Sequence, residues 1–281
     1  MTNTNAMLAN IQEALSRGTL VPYIGPGVLN LVGPANNLPA SPLALVGSLI
    51  SGVSVPHKLR SNLTGAAQFI ENFKHRKTVV AQMRAAFAAG AEPTCLHRFL
   101  ASDPGLPLIV HAWYDDLPQR ALARRSDWTI VQGASQAEHF GHWTMQYHPD
   151  GTAAADAAIS RTLLYQPLGS IAPAANFLVS DSDFVEVLTE IDIQTPIPPA
   201  VQARRLGSHF LYVGCRFSSQ LERIFAHQIS KRSSDTHWAV LPEEPTRNEA
   251  RFMSQHGIRR IDLELSAFTA ALSGTHQEVA A

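Results

Sequence analysis

Eight short apolar runs, separated by helical or loop segments, constrain this chain more than any other feature. They are Thr19–Ile24 (TLVPYI), Leu106–His111, Trp128–Gln132, Thr162–Gln166, Asn176–Val179, His209–Val213, His237–Leu241 and Ile258–Leu263. Each is too short for a core helix, and all but the last (IRRIDL) are too continuously apolar for a strand with one wet face. Such runs predict parallel strands covered on both sides. Helical spacing fills the intervals. Leu8, Ile11 and Leu15 mark a helix over Met7–Arg17, stopped by Gly18. Ser41–Ile50 and Gly65–Gly90 read as helices, the second with Val79, Met83 and Phe87 on one face. Ser218–Ser230 buries Leu221, Ile224, Phe225 and Ile229. The expected architecture is α/β: a Rossmann-like three-layer parallel sheet with a helical insertion after the first strand, at about 41–100. One domain is expected over 1–270, followed by a disordered tail at 271–281. Asn30–Pro42, rich in Asn, Pro and Gly, reads as an extended loop.

Composition narrows the function. Hydrophobic residues make up 45% and charged residues 16% of 281, enough for a substantial core. The net charge is -1 and no long basic run occurs, so nucleic acid is not expected as a partner. Arg124-Arg125, Arg204-Arg205 and Arg259-Arg260 read as solvated faces. The two cysteines, Cys95 and Cys215, exclude a disulfide framework and a four-cysteine zinc site. Met1–Asn10 lacks the pattern of a signal peptide, and no apolar run approaches the roughly 20 residues of a membrane span. A cytoplasmic protein is expected.

The first apolar run leads directly into Gly25-Pro26-Gly27-Val28-Leu29. A strand ending in such a turn can present backbone N–H groups to a pyrophosphate, or it can be a tight turn holding nothing. The GxGxxG and GxxxxGK[ST] spacings are both absent. Further strings follow in order. They are PLIVHAWYDDLPQRAL (Pro107–Leu122), LLYQPLGSI (Leu163–Ile171) and NFLVSDSDFVEVL (Asn176–Leu188). FLYVGCRFSSQLERIF (Phe210–Phe225) and HWAVLPEEP (His237–Pro245) complete the series. With VPYIGPGVL, this ordered set resembles the sirtuin-type, SIR2-like family over roughly Thr19–Leu263.

The resemblance implies binding of NAD, ADP-ribose or a related adenine nucleotide. It places the phosphates against Gly25, Pro26, Gly27, Val28 and Leu29. Gly214, Cys215, Arg216 and Ser218 fall on the ribose side with Asp115, and Glu243 beside the adenine. The departures bear on chemistry. The family's second-motif Asn is Trp113 and its third-motif His is Leu168. Pro26 replaces an Ala and removes an N–H, and Leu29 replaces a Ser. Leu168 has no titratable proton, and the indole of Trp113 donates but does not accept. Loss of a general base removes about 10²–10⁴-fold of rate. Two readings of His111 stand here: it faces the cleft as a substitute base, or it is hydrogen-bonded at the strand end. Trp113 likewise either stacks in the cleft, blocking a nicotinamide pocket, or is a core residue.

Other constellations are weaker. His139, His142 and His148, with Glu138, form either a metal site or a histidine-rich loop. Cys215 beside Arg216 reads as a buried or cleft-lining thiol. Asp115-Asp116 and Asp181-x-Asp183 read as helix caps. Ser135 is not in a GxSxG elbow. The leading expectation is a catalytically degenerate nucleotide-binding protein without zinc, acting as a sensor or assembly subunit, with a protein partner or a second copy of itself. The alternatives are an active NAD-hydrolysing enzyme of a bacterial defence type and a scaffold with a closed cleft.

Overall fold

The computed structural model describes residues 2–33, 36–155, 160–193 and 197–279. α1 (Thr2–Ser16) ends at Gly18, whose φ of 65° turns the chain into β1 (Leu20–Ile24). A 3₁₀ turn (Pro26–Val32) follows β1. Next come α2 (Pro42–Ile50), α3 (Leu63–Lys74), α4 (Arg76–Ala86) and α5 (Cys95–Ser102). β2 (Leu108–His111), α6 (Leu117–Leu122), β3 (Trp128–Gly133), β4 (Thr144–Tyr147) and β5 (Thr162–Gln166) form the middle. A small hairpin, β6 (Gly169–Ser170) and β7 (Asn176–Phe177), precedes α7 (Asp181–Ile193) and α8 (Pro199–Arg205). The chain continues through β8 (His209–Val213), α9 (Gln220–Ser230) and β9 (His237–Val240). It closes with α10 (Arg247–Gln255), β10 (Ile258–Ile261) and α11 (Leu265–Val279).

Among the described residues the main sheet has eight strands in the order β10-β9-β8-β1-β2-β5-β3-β4. All pair in parallel except β4, which runs antiparallel to β3 at the edge. Alternation along the strands divides the core. Val21 and Tyr23 of β1 join Phe184, Val201, Phe225 and Met253 under α7, α8, α9 and α10. Leu20 and Ile24 face the other way, with Ile11, Leu100, Phe268 and Leu272 under α1, α5 and α11. This is the expected three-layer α/β sheet.

The details depart from the sequence in four places. The expected insertion divides: α2, α3 and α4 make their own core around Leu45, Ile70 and Met83, whereas Leu96 and Leu100 of α5 pack on the sheet. The single helix expected over Gly65–Gly90 breaks at His75, where φ is 68°. The break aims Arg76 at Asp183 (2.8 Å), Glu138 (3.1 Å) and Glu71 (3.3 Å), tying α4 to the start of α7. Asn176–Val179 supplies only the short strand β7, outside the main sheet. The segment assigned to a tail, 271–281, is helical as far as Val279, and Leu272 is buried.

Candidate functional site

β8 lies on one side of β1 and β2 on the other, so the strand order reverses about β1. Ligand crevices in open α/β sheets form beyond the carboxyl ends of strands at such a switch point. Here a cleft of about 490 Å³ opens at that place. Its floor is Tyr23, Gly25 and Pro26 from the end of β1, with Ala112, Trp113 and Tyr114 beyond β2. Cys215 to Ser219 follow β8, and Leu221, Glu222, Phe225 and Ala226 come from α9. Leu168 and Phe184 close one side, and Ser61 to Thr64, at the start of α3, form the roof. The walls are mostly apolar and aromatic, with a few polar groups, as in small-molecule pockets of roughly 300–1,000 Å³.

The glycine turn is packed against the loop after β8. The Gly25 N–H donates to the Val213 carbonyl (2.9 Å), Gly27 N–H to Gly214 (2.9 Å) and Val28 N–H to Gly25 (3.3 Å). Pro26 has no N–H. A Cβ on Gly25 would stand 2.6 Å from the Gly214 oxygen, and one on Gly27 3.0 Å from it. The glycines therefore permit a close backbone-to-backbone approach, and the donors a phosphate would use are already engaged. Val28 and Leu29 are core residues that do not line the cleft. The pyrophosphate placement implied by the family pattern thus finds no free donors at Gly25–Val28.

Trp113 and Leu168 both face the cleft as wall residues. Trp113 is only 3% exposed, and its ring lies 5.0 Å from Tyr114 and 6.3 Å from Phe87. Its Nε1–H donates to the Pro39 carbonyl at 2.8 Å. β2 ends at His111, so strand alternation does not carry on to Trp113. His111 is instead buried on the opposite face of the sheet, its Nε2 3.1 Å from Asp115 Oδ2 and its Nδ1 3.5 Å from Gln166. Asp115, expected on the ribose side, does not line the cleft. It pairs with His111 and accepts from Leu117 N–H (3.1 Å) at the start of α6, whose N-cap is Asp116. Burial raises the Asp115 pKa, but the charge and hydrogen bond of His111, helped by His97, outweigh it and hold the carboxyl below its ordinary range.

Two charged side chains line the cleft among the described residues, Arg216 and Glu222. Arg216 is bound twice by buried Glu249, at 2.9 Å through Nε and Nη2, and also pairs with exposed Glu243. Glu243 contacts Arg216 without reaching the cleft lining. Burial opposes ionisation of Glu249, yet the bonds from Arg216, Thr246 and Phe217 hold its pKa at about 2. Cys215 is buried, and burial, then Glu222, push its thiol well above the ordinary range, so no thiolate forms. Gly214, at φ 67°, sits under Val28 rather than in the lining.

Comparison with known families decides the affiliation. A family model described as a SIR2-like domain matches residues 107–261, more than half of the chain. The chain belongs to the SIR2-like domain family. A comparison with curated proteins returned no match. The matched region holds the Trp113, Asp115, Leu168 and Gly214 segments of this SIR2-like domain; the glycine turn after β1 lies before it.

Several cleft residues were not anticipated. Ser219 and Glu222 form a capping box at α9, and their Ser-x-x-Glu spacing is a readable signal. Asn62 caps α3 by accepting from Gly65 N–H at 3.1 Å. Tyr23 and Phe184 join the lining through packing alone. His139, in the histidine-rich loop, bonds Asn176 (2.8 Å), and among the described residues no three His, Cys, Asp or Glu side chains gather as a metal site. Among the same residues no helix is long and apolar enough to cross a membrane.

Proposed function

We propose that this SIR2-like domain is a binding module for a ligand of the NAD class, drawn from NAD, ADP-ribose and their parts, which it does not turn over. It serves as a sensor or as a subunit of a larger assembly. The observation that carries the reading is an open switch-point cleft in which neither Trp113 nor Leu168 offers a base. At the two positions where the family pattern supplies Asn and His, the cleft presents an anchored indole and a leucine. His111, the candidate substitute base, is engaged on the far face of the sheet with Asp115 and Gln166, which speaks against the NAD-hydrolysing alternative. The open volume speaks against a closed scaffold.

The test is a pair of measurements on the full chain. Calorimetric titration with NAD, ADP-ribose, adenosine and nicotinamide riboside should give saturable binding for at least one. Incubation with NAD, followed by chromatography for nicotinamide, should show no release. Multiple-turnover release that co-purifies with the protein would overturn the reading, and so would failure of all four ligands to bind.

A further inference from the structure

We infer that the cleft selects a nucleoside without phosphates, taking an aromatic base and a ribose and rejecting 5′-phosphorylated forms. This rests on the proposed binding function and narrows its ligand. Three observations lead to it.

The first is the state of the glycine turn. A phosphate held against the glycine turn needs unpaired N–H groups there. Gly25, Gly27 and Val28 each spend theirs on a backbone carbonyl, and Pro26 has none. Gly25 and Gly27 also lie so close to Gly214 that a phosphate cannot enter between the two loops.

The second is charge. Arg216 is the cation in the lining among the described residues, and its guanidinium is held by Glu249 and Glu243. Arg223 bonds the Phe217 and Ser218 carbonyls beside the cleft, so Glu222, Glu243 and Glu249 against Arg216 and Arg223 leave the local balance negative by one. A dianionic phosphate meets like charge in a partly dry site, whereas a neutral or cationic nucleoside does not.

The third is the placement of polar groups among aromatic walls. Glu222 uses Oε2 to accept from Ser218 Oγ (3.0 Å) and Ser219 N–H (2.8 Å). Its Oε1 accepts nothing among the described residues, and a carboxylate in this position suits the hydroxyls of a ribose. The Tyr23 side chain lines the same cleft at 5% exposure, and its hydroxyl has no hydrogen-bond partner among the described residues. Tyr23, Trp113, Phe184 and Phe217 supply the surface on which a flat base rests.

The experiment is calorimetry at physiological salt with adenosine, nicotinamide riboside, AMP, ADP-ribose and NAD, on wild type and Glu222→Gln. Glutamine keeps the capping box and removes the charge. The better nucleoside should bind wild type at least about tenfold more tightly than any phosphorylated ligand. In Glu222→Gln the nucleoside should weaken, and its advantage over the phosphorylated forms should shrink by about tenfold. If AMP, ADP-ribose or NAD binds wild type as tightly as the nucleosides, the inference fails while the wider binding function stands. If nothing binds, both fail. An unchanged ratio in Glu222→Gln overturns the part given to Glu222.

Discussion

The indole N–H of Trp113 donates to the carbonyl of Pro39 at 2.8 Å, fastening one wall of the cleft to the loop that leads into α2. That bond and the ring contacts with Tyr114 and Phe87 make Trp113 part of the core beneath α2, α3 and α4. Trp113→Asn is therefore expected to destabilise the fold by about 3–5 kcal/mol, the range for truncating a buried large aromatic residue. It should not simply open a pocket. Urea unfolding measures the loss, and NAD affinity should not rise. A variant of unchanged stability that binds NAD more tightly would show that the indole blocks the cleft.

Leu168 lines the cleft with an aliphatic side chain that has no polar atom. Leu168→His is expected to leave NAD intact, because Trp113 still presents an indole to the cleft and Asp115 stays engaged by His111. The measurement is nicotinamide release by wild type and variant side by side. General-base catalysis is worth about 10²–10⁴-fold when the base meets its proton in register. A rise of that size would show that the imidazole alone completes a reaction centre.

Most of the sheet was legible because β1, β2, β3, β5, β8 and β9 are apolar runs continuous enough to be read without tertiary information. The edge strand β4 was not, since Thr144–Tyr147 is half-wet and lies beside a run of histidines that reads as loop. The break at His75 was also hidden, because it depends on Arg76 reaching Asp183, distant in sequence. At the site, the positions of Trp113, Leu168 and Arg216 followed from their order along the chain. The direction of Asp115 did not. A helix-start reading and a ribose-side reading of Asp115 both stand in the sequence, and its bonds to Leu117 N–H and His111 decide against the second. The engagement of the turn donors was equally invisible, since it needs the loop after β8 to lie against the loop after β1.

Gly214 has φ 67°, and a Cβ there would collide with the backbone N of Val28. Gly214→Ala should therefore cost at least about 1–2 kcal/mol for the left-handed backbone alone, with the collision adding to it. The separation of the two loops that form the cleft floor should also weaken ligand binding. Gly47→Ala, inside α2 where a Cβ meets nothing within 4 Å, is the control and should stabilise by about 0.5–1 kcal/mol. Equal unfolding midpoints for the two variants would contradict the close packing of the turn against the loop after β8.

Acid should destabilise the protein before its carboxylates titrate. Burial holds the pKa of His97 at about 4, against an attraction from Asp115, and burial with His209 holds His237 at about 4 as well. Both rings are neutral in the folded protein through the mildly acidic range, whereas in the unfolded chain they take up protons near pH 6.5. The unfolded state thus binds more protons, and stability is lost as the pH falls. The contribution is complete above about pH 6.5, declines through the interval, and is gone near about pH 4. The slope is about 1.4 kcal/mol per pH unit for each ring within that window. Glu249, held at about 2, loses its share only below the ordinary carboxylate range, so the two effects separate on the pH axis. His237 accepts from Phe210 N–H at 3.0 Å through Nδ1, a bond that a glutamine carbonyl can replace without titrating. His237→Gln should therefore lower the slope of stability against pH between about 6 and about 4.5 by one ring's share, about 1.4 kcal/mol per pH unit. Urea midpoints measured across that interval decide it, and a stability that is flat in wild type would show that both rings charge freely in the folded state.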